Sequence, residues 1–222
     1  MDWFEQVNAY CERTGPEYWS EPVNAVTNAS FLIAAFVMWR RTRRGGLPLA
    51  TAMVVVLAVI GIGSYLFHTH ANRLTGLMDV LPIVAFILLY VFAATRDFLE
   101  QRAWVAGLVT LAFIPYAIAL TPVFRALPFF EVSAFYWPVP LLIGIYAVIL
   151  RNRAPGTAAG LAVGAAILVA SLIFRSLDQK LCDAFPLGTH FIWHILNGLM
   201  LGWMIEVYRR HMSGKGRRPL TA

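Results

Sequence analysis

Residues 49–69 read LATAMVVVLAVIGIGSYLFHT. No charged side chain occurs from Leu49 to Phe67, and the first histidine, His68, comes only at the end. A helix rises 1.5 Å per residue, so about 20 such residues cross the ~30 Å hydrocarbon core of a bilayer. The stretch is therefore read as a membrane span.

Six further apolar stretches carry the same reading, at roughly 22–39, 76–95, 103–120, 133–150, 157–175 and 188–207. Lipid offers no partner to a backbone N–H or C=O, so each span must close its hydrogen bonds within a helix. The sequence thus predicts an all-α membrane protein, a bundle of seven transmembrane helices over 22–207. An N-terminal interfacial segment, 1–21, precedes it, and a basic cytoplasmic tail, 208–222, follows. Pro115, Pro138 and Pro140 interrupt the fourth and fifth spans, as bundles tolerate.

Composition agrees. Of 222 residues, 59% are hydrophobic and 14% charged, with a mean hydropathy of +0.65. Soluble domains carry about 25% charged residues, so too little polar surface is present to coat a globule in water. The net charge of +6 does not indicate a nucleic-acid partner, because its distribution is that of membrane loops. With the N-terminus outside, thirteen of the 18 basic residues fall on the inner side: Arg40, Arg41, Arg43, Arg44, Arg96, Arg102, Arg151, Arg153, Arg209, Arg210, Lys215, Arg217 and Arg218. Arg13, Arg73, Arg125, Arg175 and Lys180 fall outside. Basic loops stay cytoplasmic, so the sequence predicts an outer N-terminus and a cytoplasmic C-terminus.

Residues 1–21 carry Asp2, Glu5, Glu12, Glu17 and Glu21, unlike the basic start of a signal peptide. Trp3, Phe4, Val7, Tyr10 and Cys11 give this segment an apolar face for the membrane surface. Residues 121–141, rich in proline and aromatics, read either as an interfacial belt or as the lip of a lipid portal. Gly156, Gly160 and Gly164 recur every fourth residue and let another helix approach closely, within the bundle or across a dimer. Oligomeric state is otherwise not encoded legibly. Cys11 and Cys182 are the only cysteines, which excludes thiolate zinc fingers and iron–sulfur clusters.

Ionisable groups inside spans are costly and mark function by default. Ser64 and His68 close the second span, Asp79 opens the third, and His190 and His194 open the last. All five fall at one level, in the outer half of the bundle. His190 and His194 are one helical turn apart and face the same way, as do Ser64 and His68. Two such histidines and a third from another helix suit Zn²⁺, leaving a fourth position open for catalysis. Phe191 stands where a soluble metalloprotease has its glutamate, so Asp79 is the available acid/base; alternatively it only orients a histidine. His70 lies on another face, and His211 falls in the basic tail with no assigned role.

The run Gly63-Ser64-Tyr65-Leu66-Phe67-His68, Asp79 with Leu81-Pro82, and His190-Phe-Ile-Trp-His194-Ile-Leu-Asn-Gly198 resembles the alkaline ceramidase family. That family belongs to a superfamily of seven-helix membrane hydrolases that includes adiponectin-receptor-like proteins. Glu21-Pro-Val-Asn24-Ala-Val-Thr-Asn28 and Leu177-Asp178 with Cys182 extend the resemblance across nearly the whole chain. It implies a zinc-dependent amidase that splits ceramide-like lipids into a fatty acid and a sphingoid base. His68, His190 and His194 would hold zinc, Ser64 would steady the oxyanion, and Asp79 would move the proton. It also implies a disulfide between Cys11 and Cys182 and an acidic calcium site. Glu12 and Glu21 match that site, but Ala9 and Thr14 depart from it.

The competing readings are hydrolysis of other N-acyl or ester lipids, and a receptor-like lipid-binding protein with structural zinc. The absence of long loops suggests a bacterial inner-membrane protein with its site towards the periplasm.

Overall fold

A computed structural model describes residues 2–214: an N-terminal segment without helix over 2–21, then helices and their connections, with one isolated bridge between Gln6 and Asn72. Eight α-helices are described: α1 (Pro22–Thr27), α2 (Ala29–Thr42), α3 (Pro48–His70), α4 (Arg73–Ala93), α5 (Ala103–Arg125), α6 (Pro138–Leu150), α7 (Pro155–Leu177) and α8 (His190–Met212). A π-turn, Ala94–Phe98, continues α4, and α1 runs into α2. Among the described residues six helices are long and apolar enough to cross a membrane, compatible with an integral multi-pass protein. Their outward faces carry Val55, Leu111 and Ile118, each more than half exposed, surfaces suited to lipid rather than water.

The expected fifth span differs. Instead of a helix over 133–150, a 3₁₀ turn at Glu131–Ser133 leads into a helix that starts only at Pro138 and has 13 residues. At 1.5 Å per residue that is about 20 Å, short of the hydrocarbon core. Proline has a fixed φ and no N–H, so Pro138 and Pro140 suit a first turn, where the N–H has no intrahelical partner anyway. Pro22, Pro48 and Pro155 open helices in the same way. By contrast Pro115 and Pro122 lie inside α5, which continues to Arg125.

The expected tail also begins later. Tyr208–Met212 belongs to α8, and both Tyr208 and His211 are buried. Tyr208 Oη donates to Asp97 Oδ2 (2.6 Å), and His211 Nδ1 lies 2.8 Å from Thr157 Oγ1. His211 is thus a packed residue of the bundle; Lys215, Arg217 and Arg218 lie outside the described residues.

α3 packs on α4 and α2, α7 on α6 and α8, and α2 on α8, while α5 sits at the edge. Glycines allow the closest approaches. A Cβ on Gly160 or Gly164 would strike Val207 or Met204 of α8, so this spaced run serves contact within the bundle. A Cβ on Gly63 would collide with the backbone carbonyl of Met78, one residue before Asp79. Gly63 therefore sets how near Ser64 comes to Asp79. The α3–α4 turn holds only Ala71, in the left-handed region at φ 43°, and Asn72, whose side chain accepts from Thr75 N–H in a capping box.

Gly63→Val is expected to destabilise the bundle by at least about 1–3 kcal/mol, because rigid backbone opposes the new side chain. Gly107→Ala, with nothing within 4 Å of the added carbon, serves as the neutral control; thermal unfolding in detergent compares the two.

Candidate metal centre and active site

α3 delivers Ser64 and His68 from its last two turns, α4 delivers Asp79 from its second, and α8 delivers His190 and His194 from its first. All five side chains are buried. The ligating atoms of His68, His190 and His194 lie within 4.8 Å of one another, and the ring centroids are 4.6–5.2 Å apart.

The hydrogen bonds of two rings assign their tautomers. His68 Nδ1 lies 2.6 Å from Glu21 Oε2, and a carboxylate only accepts, so Nδ1 carries the proton. His194 Nδ1 lies 3.0 Å from Thr27 Oγ1, whose own proton points to the carbonyls of Val23 or Asn24. That hydroxyl therefore accepts from His194 Nδ1. In both rings the lone pair is left on Nε2. Among the described residues none hydrogen-bonds to Nε2 of His68 or His194, or to either ring nitrogen of His190. A buried polar atom without a partner costs about 1–3 kcal/mol, so three converging on one point need a common partner. One metal ion with three imidazole ligands meets that need, and the donor set fits zinc. Ser64 Oγ and Asp79 Oδ1 are likewise buried. Asp79 has Ser64 as its side-chain hydrogen-bonding neighbour, with His68 and Arg175 within electrostatic reach.

Residues 2–21 close over this centre. Tyr10 stacks on His190 at 3.6 Å between centroids, and burial pushes its phenol up, so it stays neutral. Cys11 is joined to Cys182 by a disulfide. Asp178 binds three parts together: Oδ1 accepts Thr189 N–H (2.7 Å) and His190 N–H (2.9 Å), and Oδ2 accepts Cys11 N–H (3.1 Å). It caps α8 where the helix dipole favours a negative charge, and so fixes where His190 begins the helix.

Glu12 and Glu21 both face protein donors. Both Glu12 oxygens accept backbone N–H groups at the start of α1, from Val23 (2.6 Å) and Asn24 (2.8 Å). Burial pushes the Glu12 carboxyl up despite those bonds. One Glu21 oxygen pairs with Arg13 Nε, and the other faces His68. Burial alone would push Glu21 up, but His68 and Arg13 outweigh it and hold the carboxyl below its usual range.

Beneath the histidines lies an apolar cavity. Phe31, whose ring meets Trp193 and His194, lines it with Ile83, Tyr136, Leu172 and Asn197. Ile87, Val139, Met200 and Leu201 are shared with a second cavity further along, which reaches Tyr90, Ala94 and Tyr146. Sequence reasoning missed Thr27, Tyr10, Arg13, Arg175 and the capping role of Asp178. Arg13 and Arg175 registered only as outer-side charges, and no spacing rule reaches across such separations.

The chain matches the family model described as Ceramidase over residues 7–218, nearly its full length, and it belongs to that family. No curated protein matches it. Family membership implies a hydrolase acting on the amide bond of a lipid, and the three buried histidines could hold a metal ion.

Asp178→Ala is expected to loosen the start of α8 and the N-terminal segment together, since hydrogen bonds to a charged group contribute about 1.5–3 kcal/mol each. Hydrogen exchange should show faster exchange at Cys11, Thr189 and His190, while the far end of α8 stays protected. Peptide mapping without reductant should recover Cys11 joined to Cys182.

Proposed function

We propose, from the chain's place in the ceramidase family, that it is a zinc amidase releasing the fatty acid from ceramide-like N-acyl sphingoid lipids. The observation that carries this reading is the convergence of three buried imidazoles with unpartnered ring nitrogens beside Asp79 and Ser64, at the end of an apolar cavity. A purely structural metal would need neither a buried carboxylate nor a buried hydroxyl at its side, so the receptor-like reading is the weaker one.

His68, His190 and His194 are the ligands in this reading. Bound zinc would lower the pKa of water and polarise the amide carbonyl. Asp79 accepts a proton from the attacking water and returns it to the departing nitrogen. The C–O bond forms, the C–N bond breaks, and the products are a fatty acid and a free amine. Ser64 Oγ–H donates to the carbonyl oxygen as its charge grows. Glu21 and Thr27 hold His68 and His194 in the tautomer that presents Nε2. The acyl chain lies in the apolar cavity lined by Phe31, Ile83 and Leu172. The same reading puts the site in the outer half of the membrane, with the N-terminus outside, the arginine-rich helix ends cytoplasmic and the protein in a bacterial inner membrane.

Wild type in detergent should release fatty acid from an N-acyl sphingoid lipid, followed by mass spectrometry. Release only from N-acyl amino acids or esters would reassign the substrate. Asp79→Asn should keep its zinc and lose about 10²–10⁴-fold in turnover. An Asp79→Asn variant working at the wild-type rate would remove Asp79 from the chemistry. His190→Ala should lose both metal and activity.

A further inference from the structure

Arg13 is a buried arginine that the mechanism above does not use. Its guanidinium makes three bonds, two within the N-terminal segment and one to α3. Nε pairs with Glu21 Oε1, Nη1 donates to the carbonyl of Gly15 (3.0 Å), and Nη2 donates to the carbonyl of His68 (3.0 Å). The last contact is to the main chain of a proposed metal ligand. The other Glu21 oxygen faces the ring of that same residue, at Nδ1. Arg13 therefore grips His68 twice, directly through the backbone and indirectly through Glu21.

Each grip has a physical purpose. His68 lies in the last turn of α3, where carbonyls lack intrahelical partners and a positive charge is favoured. Nη2 satisfies such a carbonyl and fixes the end of the helix. Through Nε the cation keeps Glu21 in one rotamer as an acceptor, which keeps the proton on His68 Nδ1 and the lone pair on Nε2. The planar fork of a guanidinium can hold a carboxylate and two carbonyls in fixed directions, which a lysine ammonium does less well.

We infer that Arg13 is a built-in cation of this centre, a positioning residue that does the ordering a calcium ion would otherwise do between the N-terminal segment and Glu21. The chain then needs no calcium. The inference rests on His68 being a metal ligand.

The test uses the whole protein in metal-defined buffer. Zinc and calcium are counted by mass spectrometry, and zinc affinity is measured by competition with a chelator. Wild type should hold zinc without calcium, and added calcium should leave turnover unchanged. Arg13→Ala should weaken zinc binding about 10–100-fold, the usual effect of losing a group that orients a ligand. Arg13→Lys should fall between the two, and millimolar guanidinium should partly restore turnover to Arg13→Ala. If Arg13→Ala fails to fold, Arg13→Lys carries the affinity test. Wild-type zinc affinity in every Arg13 variant that folds, or activation of wild type by calcium, would overturn the inference alone. Wild type that binds no zinc would overturn the metal reading and this inference together.

Discussion

Three imidazole nitrogens face one another inside a bundle of apolar helices, with no protein group among the described residues to satisfy them. Water and lipid are poor remedies at this depth, because the rings are fully buried. Such an arrangement is stable only if a further partner offsets the lost solvation of all three. Much else at this end of the bundle can be understood as support for that convergence. Gly63 brings α3 against α4 so that Ser64 meets Asp79, and Asp178 fixes the start of α8.

The N-terminal segment is the part most unlike a simple helical bundle. It has almost no regular structure, yet it supplies Tyr10 against His190, Glu12 as the cap of α1 and Arg13 beneath Glu21. Its backbone pairs with the α3–α4 turn, through Val7 N–H to the Ala71 carbonyl and Arg73 N–H to the Glu5 carbonyl. The disulfide adds a covalent tie, and a loop this long makes such a tie worth on the order of 3–5 kcal/mol in the chain-entropy picture. The buried histidines thus gain a roof made of chain.

The helical fold was legible in the sequence because lipid imposes a simple rule: length and apolarity decide a span. The rule failed where proline chemistry competes with hydropathy. Residues 133–150 are apolar enough, but the helix there opens at Pro138, with Pro140 in its first turn, so the element is shorter. At the other end, Tyr208 and His211 look polar and tail-like, yet Asp97 and Thr157 give them buried partners that no local pattern announces. The histidines, Ser64 and Asp79 were legible because helical spacing and depth align them. Arg13 was not, because its meaning depends on a contact 55 positions away, with His68. The resemblance pointed to Glu21 without announcing its ion pair with Arg13.

The most direct test of the central claim is zinc-edge X-ray absorption on the purified protein. The account predicts one zinc per chain with about three nitrogen neighbours and an oxygen, all near 2.0–2.1 Å, the pattern of an open catalytic site. A sulfur neighbour near 2.3 Å, a closed shell of four protein ligands, or no zinc in active protein would contradict it.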